Sequence, residues 1–330
     1  MRPRVALTYA LLRLAGWLPL RWLHGLGAGV GNLLWRLNGR ERHHVEVNLQ
    51  IARPQLSDRQ RRRLTQACLR EAGCGLLELG KVWGGGAQHA LQLVREVRGE
   101  ERFTQALASG RGLIVAAPHL GCWELLNHWL GARTQLAILY RPPRQPQWET
   151  LLRRARGSFA PEQIRADSGG VRALYKRLRA GGVVGILPDQ QPRSGEGVFA
   201  PFFGIPAASM VLLSRLATRT QAKVLFGFME RLPRGAGFRL HWLDAPADLS
   251  NADPLQAGIA LNCGVASCVE LAFTQYQWTY KRWSMRPQPG DPDLYRIPMA
   301  RLKEYCAENY AHSPPRNSDV GGNPPGPEHV

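Results

Sequence analysis

The chain has 330 residues, enough for one large α/β domain with a helical appendage, and a hydrophobic content of 44%, ordinary for a globular protein. A formal charge of +18 is not ordinary and calls for a polyanionic partner, whether nucleic acid, anionic lipid or an acidic protein. The six cysteines form no CxxC and no cluster of zinc-finger spacing, which excludes a disulfide scaffold and a zinc module and leaves small buried residues in a reducing compartment.

Val5 to Leu20 is apolar except for Thr8, Tyr9 and Arg13, and Trp22 to Trp35 is rich in Leu, Gly and Trp. As a helix the first run spans roughly 24 Å, short of the ~30 Å hydrocarbon core. Residues 1–36 therefore read as a membrane anchor, either one tilted short span or a helical hairpin in the interface, with Trp17, Trp22 and Trp35 favouring the interface. A cleaved signal peptide competes, because basic residues precede an apolar core, but Arg13 interrupts that core. An ordinary buried helix is the bland alternative.

Residues 37–56 read as polar and connecting, within a helical part spanning 37–98. Ser57 and Asp58 cap a helix running to about Leu79 with Leu64, Leu69, Leu76 and Leu77 inside. Arg61, Arg62 and Arg63 on its first turns oppose the helix dipole, which suggests an external anion, although a solvated charge run is the default. From 99 to 310 short apolar runs alternate with amphipathic stretches. Strands are expected at Leu113–Ala117, Leu136–Tyr140, Val183–Leu187, Ala222–Met229 and Phe238–Leu243. Helices are expected at Leu125–Leu130, Pro146–Arg156, Val171–Arg179, Ala207–Thr218 and Pro254–Gln275. This rhythm predicts an α/β fold, a mostly parallel central sheet flanked by helices. Residues 311–330, rich in Pro, Gly, Ser and Asn, read as a disordered tail.

Open α/β sheets bind ligands beyond the carboxyl ends of their strands. There the chain supplies Pro118 to Glu124, then Arg141 to Arg144, then Pro188 to Arg193 with Asp189, Gln190 and Arg193. His119 and Glu124 cannot share a helix face, because five residues rotate about 140°. With His119 on a turn, Gly121 at the bend and Glu124 in the first helical turn, they can meet. Glu124 would then take the Nδ1 proton and leave Nε2 free as a base, a base–orienter pair without its own nucleophile, suited to a substrate hydroxyl. The helix N-terminus would offer N–H groups to an oxyanion. A lone HxxxxE is common by chance; its place after a buried strand makes it more specific. Cys122 is a possible thiol nucleophile but reads better as packing, and His128 and His241 read as incidental. The absence of GxSxG, GxxxxGK[ST] and GxGxxG weakens serine hydrolase, P-loop and Rossmann readings.

The block PHLGCWELL resembles the HxxxxD/E motif of the glycerolipid acyltransferase-like superfamily, and most closely the late acyltransferases of lipid A biosynthesis, the lauroyl and myristoyl transferases. The stretch from Val45 to Trp83, LYRPP, LPDQQPRSGEGVFAPFFGIPA and QYQWTYKRW resemble further blocks of that family in the same order. Cys122 departs from it where Asn is frequent. The resemblance implies an acyltransferase with His119 as general base oriented by Glu124. Arg141 would meet an anionic group or the reacting carbonyl. Asp189, Gln190, Arg193 and the segment Pro201 to Gly204, including Phe202 and Phe203, would shape the substrate pocket. It implies acyl-acyl carrier protein as donor and a hydroxyl of a lipid A precursor as acceptor. It implies a bacterial inner-membrane location with the site facing the cytoplasm, and neither metal nor organic cofactor. Another hydroxylated membrane lipid with an acyl-carrier-protein or acyl-CoA donor, a membrane scaffold with a degenerate site, and a basic membrane- or nucleic-acid-binding protein without catalysis are the alternatives. Nothing of helix-turn-helix or RNP type supports nucleic acid.

Overall fold

A computed structural model describes residues 3–140, 162–165 and 167–310. The expected helix at Pro146–Arg156, Arg141 and the tail 311–330 lie outside the described residues.

The N-terminal part is helical: α1 Pro3–Trp17, α2 Leu20–Leu37, α3 Arg40–Ala52, α4 Asp58–Leu79 and α5 Ala87–Leu91. The expected cap of α4 is present as a full capping box, with Ser57 and Gln60 each satisfying the other's backbone N–H. Arg61 is not an anion receptor: it is buried, donating to Asp58 Oδ1 at 2.6 Å and to the Leu56 carbonyl at 2.8 Å. Glycines bring α2 and α4 into backbone contact. A Cβ on Gly31 would stand 2.3 Å from the Leu69 carbonyl oxygen, and one on Gly73 2.0 Å from that of Gly27. Leu20, Leu23 and His24 of α2 are buried, while Trp22, Leu26, Leu33 and Leu37 are exposed, as are Leu11, Leu14 and Trp17 of α1. Among the described residues no helix is long and apolar enough to cross a membrane, so the tilted-span expectation gives way to a helix pair with one apolar face uncovered.

The segment expected to be a connector is the 13-residue α3, and His44, Asn48 and Gln50 among its polar residues are buried. Asn48 donates to the carbonyls of Trp278 and Tyr280 at 2.6 and 2.8 Å and accepts from the Tyr295 hydroxyl at 2.6 Å. Tertiary hydrogen bonds of this kind make a buried polar helix stable.

The α/β part contains β1 Val94–Arg98, α6 Glu100–Ala108, β2 Leu113–Ala116, α7 Trp123–Gly131, β3 Leu136–Tyr140, β4 Glu162–Arg165, α8 Ser168–Arg179 and β5 Val183–Ile186. It continues with β6 Gly197–Phe202, β7 Ile205–Met210, α9 Leu212–Thr220, β8 Lys223–Arg231, β9 Phe238–Asp244, α10 Pro254–Leu271 and α11 Met299–Tyr310. Seven strands form one sheet in the order β1-β9-β8-β2-β5-β3-β4, parallel except between β8 and β9. The central strands β2 and β5 are buried along their whole length, which is why both read as unbroken apolar runs. Hydrophobic clusters cover both faces of the sheet.

Residues 207–218, expected to be one helix, divide into β7 and α9. β7 pairs antiparallel with β6 through a two-residue turn at Phe203 and Gly204, both at positive φ (47° and 82°). Two consecutive positive φ values are the signature of a type I′ hairpin turn.

Candidate active site

Because β2 and β5 are parallel neighbours, the residues after their carboxyl ends share one edge of the sheet. After β2 the chain turns sharply through Pro118 to Cys122. Gly121 has φ of 58°, and a Cβ there would stand 1.8 Å from the Met229 carbonyl oxygen, so the turn requires glycine. The turn is fastened on two sides. Gly121 N–H donates to the Gln275 carbonyl (3.2 Å) and Cys122 N–H to that of Met229 (2.9 Å). Those two amides are therefore spent on structure and do not serve an oxyanion.

The His119 imidazole is held by Asp189, from the loop after β5. Nδ1 lies 2.8 Å from Asp189 Oδ1, and the His119 backbone N–H donates to Oδ2 at 2.9 Å. Asp189 is 3% exposed; burial acts to raise its carboxyl pKa, but the nearby His119 and its hydrogen bonds outweigh this and hold it below the usual range. A charged carboxylate on Nδ1 fixes the tautomer that carries its proton there and leaves Nε2 as an acceptor. Gln190 Nε2 sits 3.2 Å from His119 Nε2 and 3.2 Å from Gln277 Oε1, so one amide group donates to both. Gln277 N–H in turn donates to the His119 carbonyl at 3.0 Å. The Trp123 ring packs edge-on against the imidazole at 5.2 Å.

Glu124 does not take the Nδ1 contact expected of it; Asp189 does. A turn five residues long made Glu124 the nearest carboxylate in sequence, whereas the parallel pairing of β2 and β5 made Asp189 the nearest in space. Glu124 is 7% exposed at the start of α7, accepts from the Trp83 indole N–H at 3.3 Å, and lines the same cavity as His119. That cavity, of about 770 Å³, opens at the carboxyl ends of β2, β3 and β5, and its wall also includes Tyr140, Gln190, Arg193, Met210 and Arg215. A second cavity of about 780 Å³ lies at the opposite end of β2 and β8, beside Arg111 and Lys223; no histidine is among its lining residues.

Other expected residues have structural places. Phe202 is buried and stacks on Trp283 at 5.6 Å, and Phe203 and Gly204 form the hairpin turn; none of the three lines the cavity around His119. Cys122 is buried, and burial pushes its thiol well above the ordinary value, the opposite of an activated nucleophile. His128 is buried with Nε2 on the Val82 carbonyl, and His241 stacks on Phe228 and pairs with Glu230. Gln275 and Gln277 were missed as site supports. They lie in QYQWTYKRW, a block noticed only for its resemblance, and no spacing rule links it to residue 119. Among the described residues no group of three or more His, Cys, Asp or Glu gathers as a metal site.

Comparison with known proteins identifies relatives of the chain. The family model for the bacterial lipid A biosynthesis acyltransferase matches residues 2–285. The lipid A biosynthesis lauroyltransferase of Escherichia coli (strain K12) is 27% identical over 299 residues, covering 89% of this chain and 96% of the relative. The lipid A biosynthesis palmitoleoyltransferase of the same organism is 26% identical over 302 residues, with the same coverage. A phosphatidylinositol mannoside acyltransferase of Mycobacterium tuberculosis is 31% identical over 160 residues, 46% of this chain and 49% of the relative.

Proposed function

The chain belongs to the bacterial lipid A biosynthesis acyltransferase family, and from that premise we propose that it moves a fatty acyl chain from an acyl carrier protein thioester to a hydroxyl of a lipid A precursor, with His119 as general base. The observation that carries the mechanism is the imidazole held through Nδ1 by Asp189 with Nε2 turned to a large cavity.

The acceptor hydroxyl takes the place of the Gln190 amide at Nε2. Nε2 removes its proton as the oxygen attacks the thioester carbonyl carbon. The tetrahedral intermediate collapses, breaking the carbon–sulfur bond, and the departing thiolate takes the proton back from Nε2. Asp189 stabilises the imidazolium formed between these steps and keeps its orientation, and Glu124 lines the same cavity. Arg193 and Arg215 on that wall suit an anionic substrate. Arg141 is proposed for the same duty on the resemblance alone.

The exposed apolar face of α1 and α2 supports docking in the plane of the inner-membrane surface, with the cavity on the cytoplasmic side where the carrier thioester resides. The net charge of +18 suits an acidic carrier, a phosphorylated lipid and an anionic leaflet alike. The relative named for phosphatidylinositol mannosides keeps a second acceptor class in view. Mass spectrometry of lipid A from cells with and without the protein decides between them. Loss of one acyl chain, restored by wild type and not by His119→Ala, is the expected result; an unchanged lipid A in a strain without redundant enzymes contradicts the lipid A acceptor.

A further inference from the structure

Next to the cavity around His119 lies a smaller pocket of about 360 Å³, lined in part by Arg40, Glu41, His44, Thr279 and Lys281. Gln191 belongs to the walls of both. Its neighbour Gln190 touches the catalytic imidazole, and Gln191 itself is fixed, its N–H donating to the Tyr280 hydroxyl at 3.0 Å and its side-chain amide to the Arg282 carbonyl at 2.9 Å. The two pockets are thus joined through one rigid dipeptide.

The smaller pocket carries more positive than negative charge. Arg40 pairs with the adjacent Glu41 at 3.2 Å in an exposed position, an ion pair worth little in solvent. Lys281 lies over the Tyr295 ring at 5.2 Å, and among the described residues no carboxylate pairs with Lys281 or His44. His44 is buried, its Nδ1 on the Thr279 carbonyl at 3.1 Å. Burial first, and then the neighbouring Lys281 and Arg40, hold its pKa below the ordinary value against the Thr279 hydrogen bond. Arg40 and Lys281 supply the positive charge of the pocket, beside a site whose proposed substrates carry phosphate.

We propose that the pocket formed by Arg40, His44 and Lys281 is a phosphate-ester subsite that anchors a substrate while its reacting group lies at His119. This rests on the acyl-transfer reading above. Two substrates bring such a group: the phosphomonoester of a lipid A precursor, and the phosphodiester of the carrier's prosthetic arm.

The test uses the full chain in detergent micelles, with wild type, Arg40→Ala combined with Lys281→Ala, and Lys281→Arg as the charge-preserving control. With acyl carrier protein thioester and a bisphosphorylated lipid A precursor, the double variant is expected to raise KM for one substrate about tenfold or more, the loss of a charged hydrogen bond or two. Lys281→Arg is expected to stay near wild type. A rise confined to the acceptor, which vanishes when the acceptor's phosphate has been removed, assigns the subsite to the acceptor. A rise confined to the donor assigns it to the carrier. Unchanged KM for both overturns the subsite. Titration of glucosamine 1-phosphate followed by the protein's histidine NMR signals tests the pocket without any transfer step. Saturable shifts of the His44 resonances in wild type, lost in the double variant, support the subsite even if the acceptor assignment fails; absence of such shifts in wild type overturns it.

Discussion

Two of the histidine–carboxylate pairs among the described residues, His24–Glu78 and His119–Asp189, lie in opposite surroundings. His24 on α2 places Nε2 3.2 Å from Glu78 Oε2, and Arg231 closes over the same carboxylate with two hydrogen bonds of 2.7 Å while a third reaches Glu71 at 2.6 Å. Neither His24 nor Glu78 lines the cavity around His119. His119 presents Nδ1 to Asp189 and keeps Nε2 toward the 770 Å³ cavity, behind an amide that a hydroxyl can replace. Burial acts to raise both carboxyl pKa values, and in both the partners outweigh it. Arg231, with His24, takes Glu78 down to about 2, whereas Asp189 is held below the usual range by His119, through its ring and its backbone N–H. A histidine and a carboxylate in contact are therefore no evidence of catalysis; what distinguishes the pair proposed as catalytic is which ring nitrogen the carboxylate occupies and what the other nitrogen faces.

The sharpest break of that comparison is at the bases themselves. His119→Ala is expected to reduce transfer by roughly 10³-fold, in the range of a lost general base, with folding and membrane attachment retained. His24→Ala should leave kcat within a few-fold; equal losses in the two variants, measured with purified protein, would erase the distinction. The arginine comes next. Arg231→Met leaves Glu78 buried and without its strongest partner, a loss of about 3–5 kcal/mol, read as a lower denaturation midpoint. Activity per folded molecule should survive better than stability.

Acid then separates the sealed pair from the rest of the protein. Glu78 has a folded pKa depressed from 4.5 to about 2, so its contribution is complete above 4.5 and disappears as pH falls through about 2. By pH 3 wild type should have lost about 2 kcal/mol more than Glu78→Gln, relative to pH 7. Parallel acid curves for the two proteins would show that Glu78 is not held as described. The smallest effect concerns the uncovered face of the helix pair. Trp17→Ala with Trp22→Ala should weaken partition to anionic vesicles about tenfold or more, without changing kcat on a soluble acceptor analogue; unchanged partition would place the membrane contact elsewhere.

The same contrast shows what could be read before the structure. β2, β5 and β8 were legible because central parallel strands are buried on both faces and write continuous apolar runs. β1 (VREVR) and β4 (EQIR) are short, charged edge strands and carry no such run. The β6–β7 hairpin was hidden because Ile205–Met210 runs straight into the apolar start of α9, and its strand character comes from pairing across the Phe203–Gly204 turn. α3 reads as a connector because His44 and Asn48 look solvated until their partners, 235 and 230 residues away, are known. In the site, placing the functional residues at adjacent strand ends was enough to bring His119, Asp189 and Gln190 together. Giving Glu124 the Nδ1 contact follows local spacing, whereas the neighbouring parallel strand β5 brings Asp189 to that nitrogen.

Asp189, through Nδ1, is proposed to make His119 a base. Transfer from acyl carrier protein to a lipid A precursor by purified Asp189→Asn, a substitution that keeps size and shape, tests it most directly. The account predicts a fall in kcat of roughly 10²-fold or more, with folding and acceptor KM near wild type. Transfer within about twofold of wild type would contradict it and return the orienting role to another group.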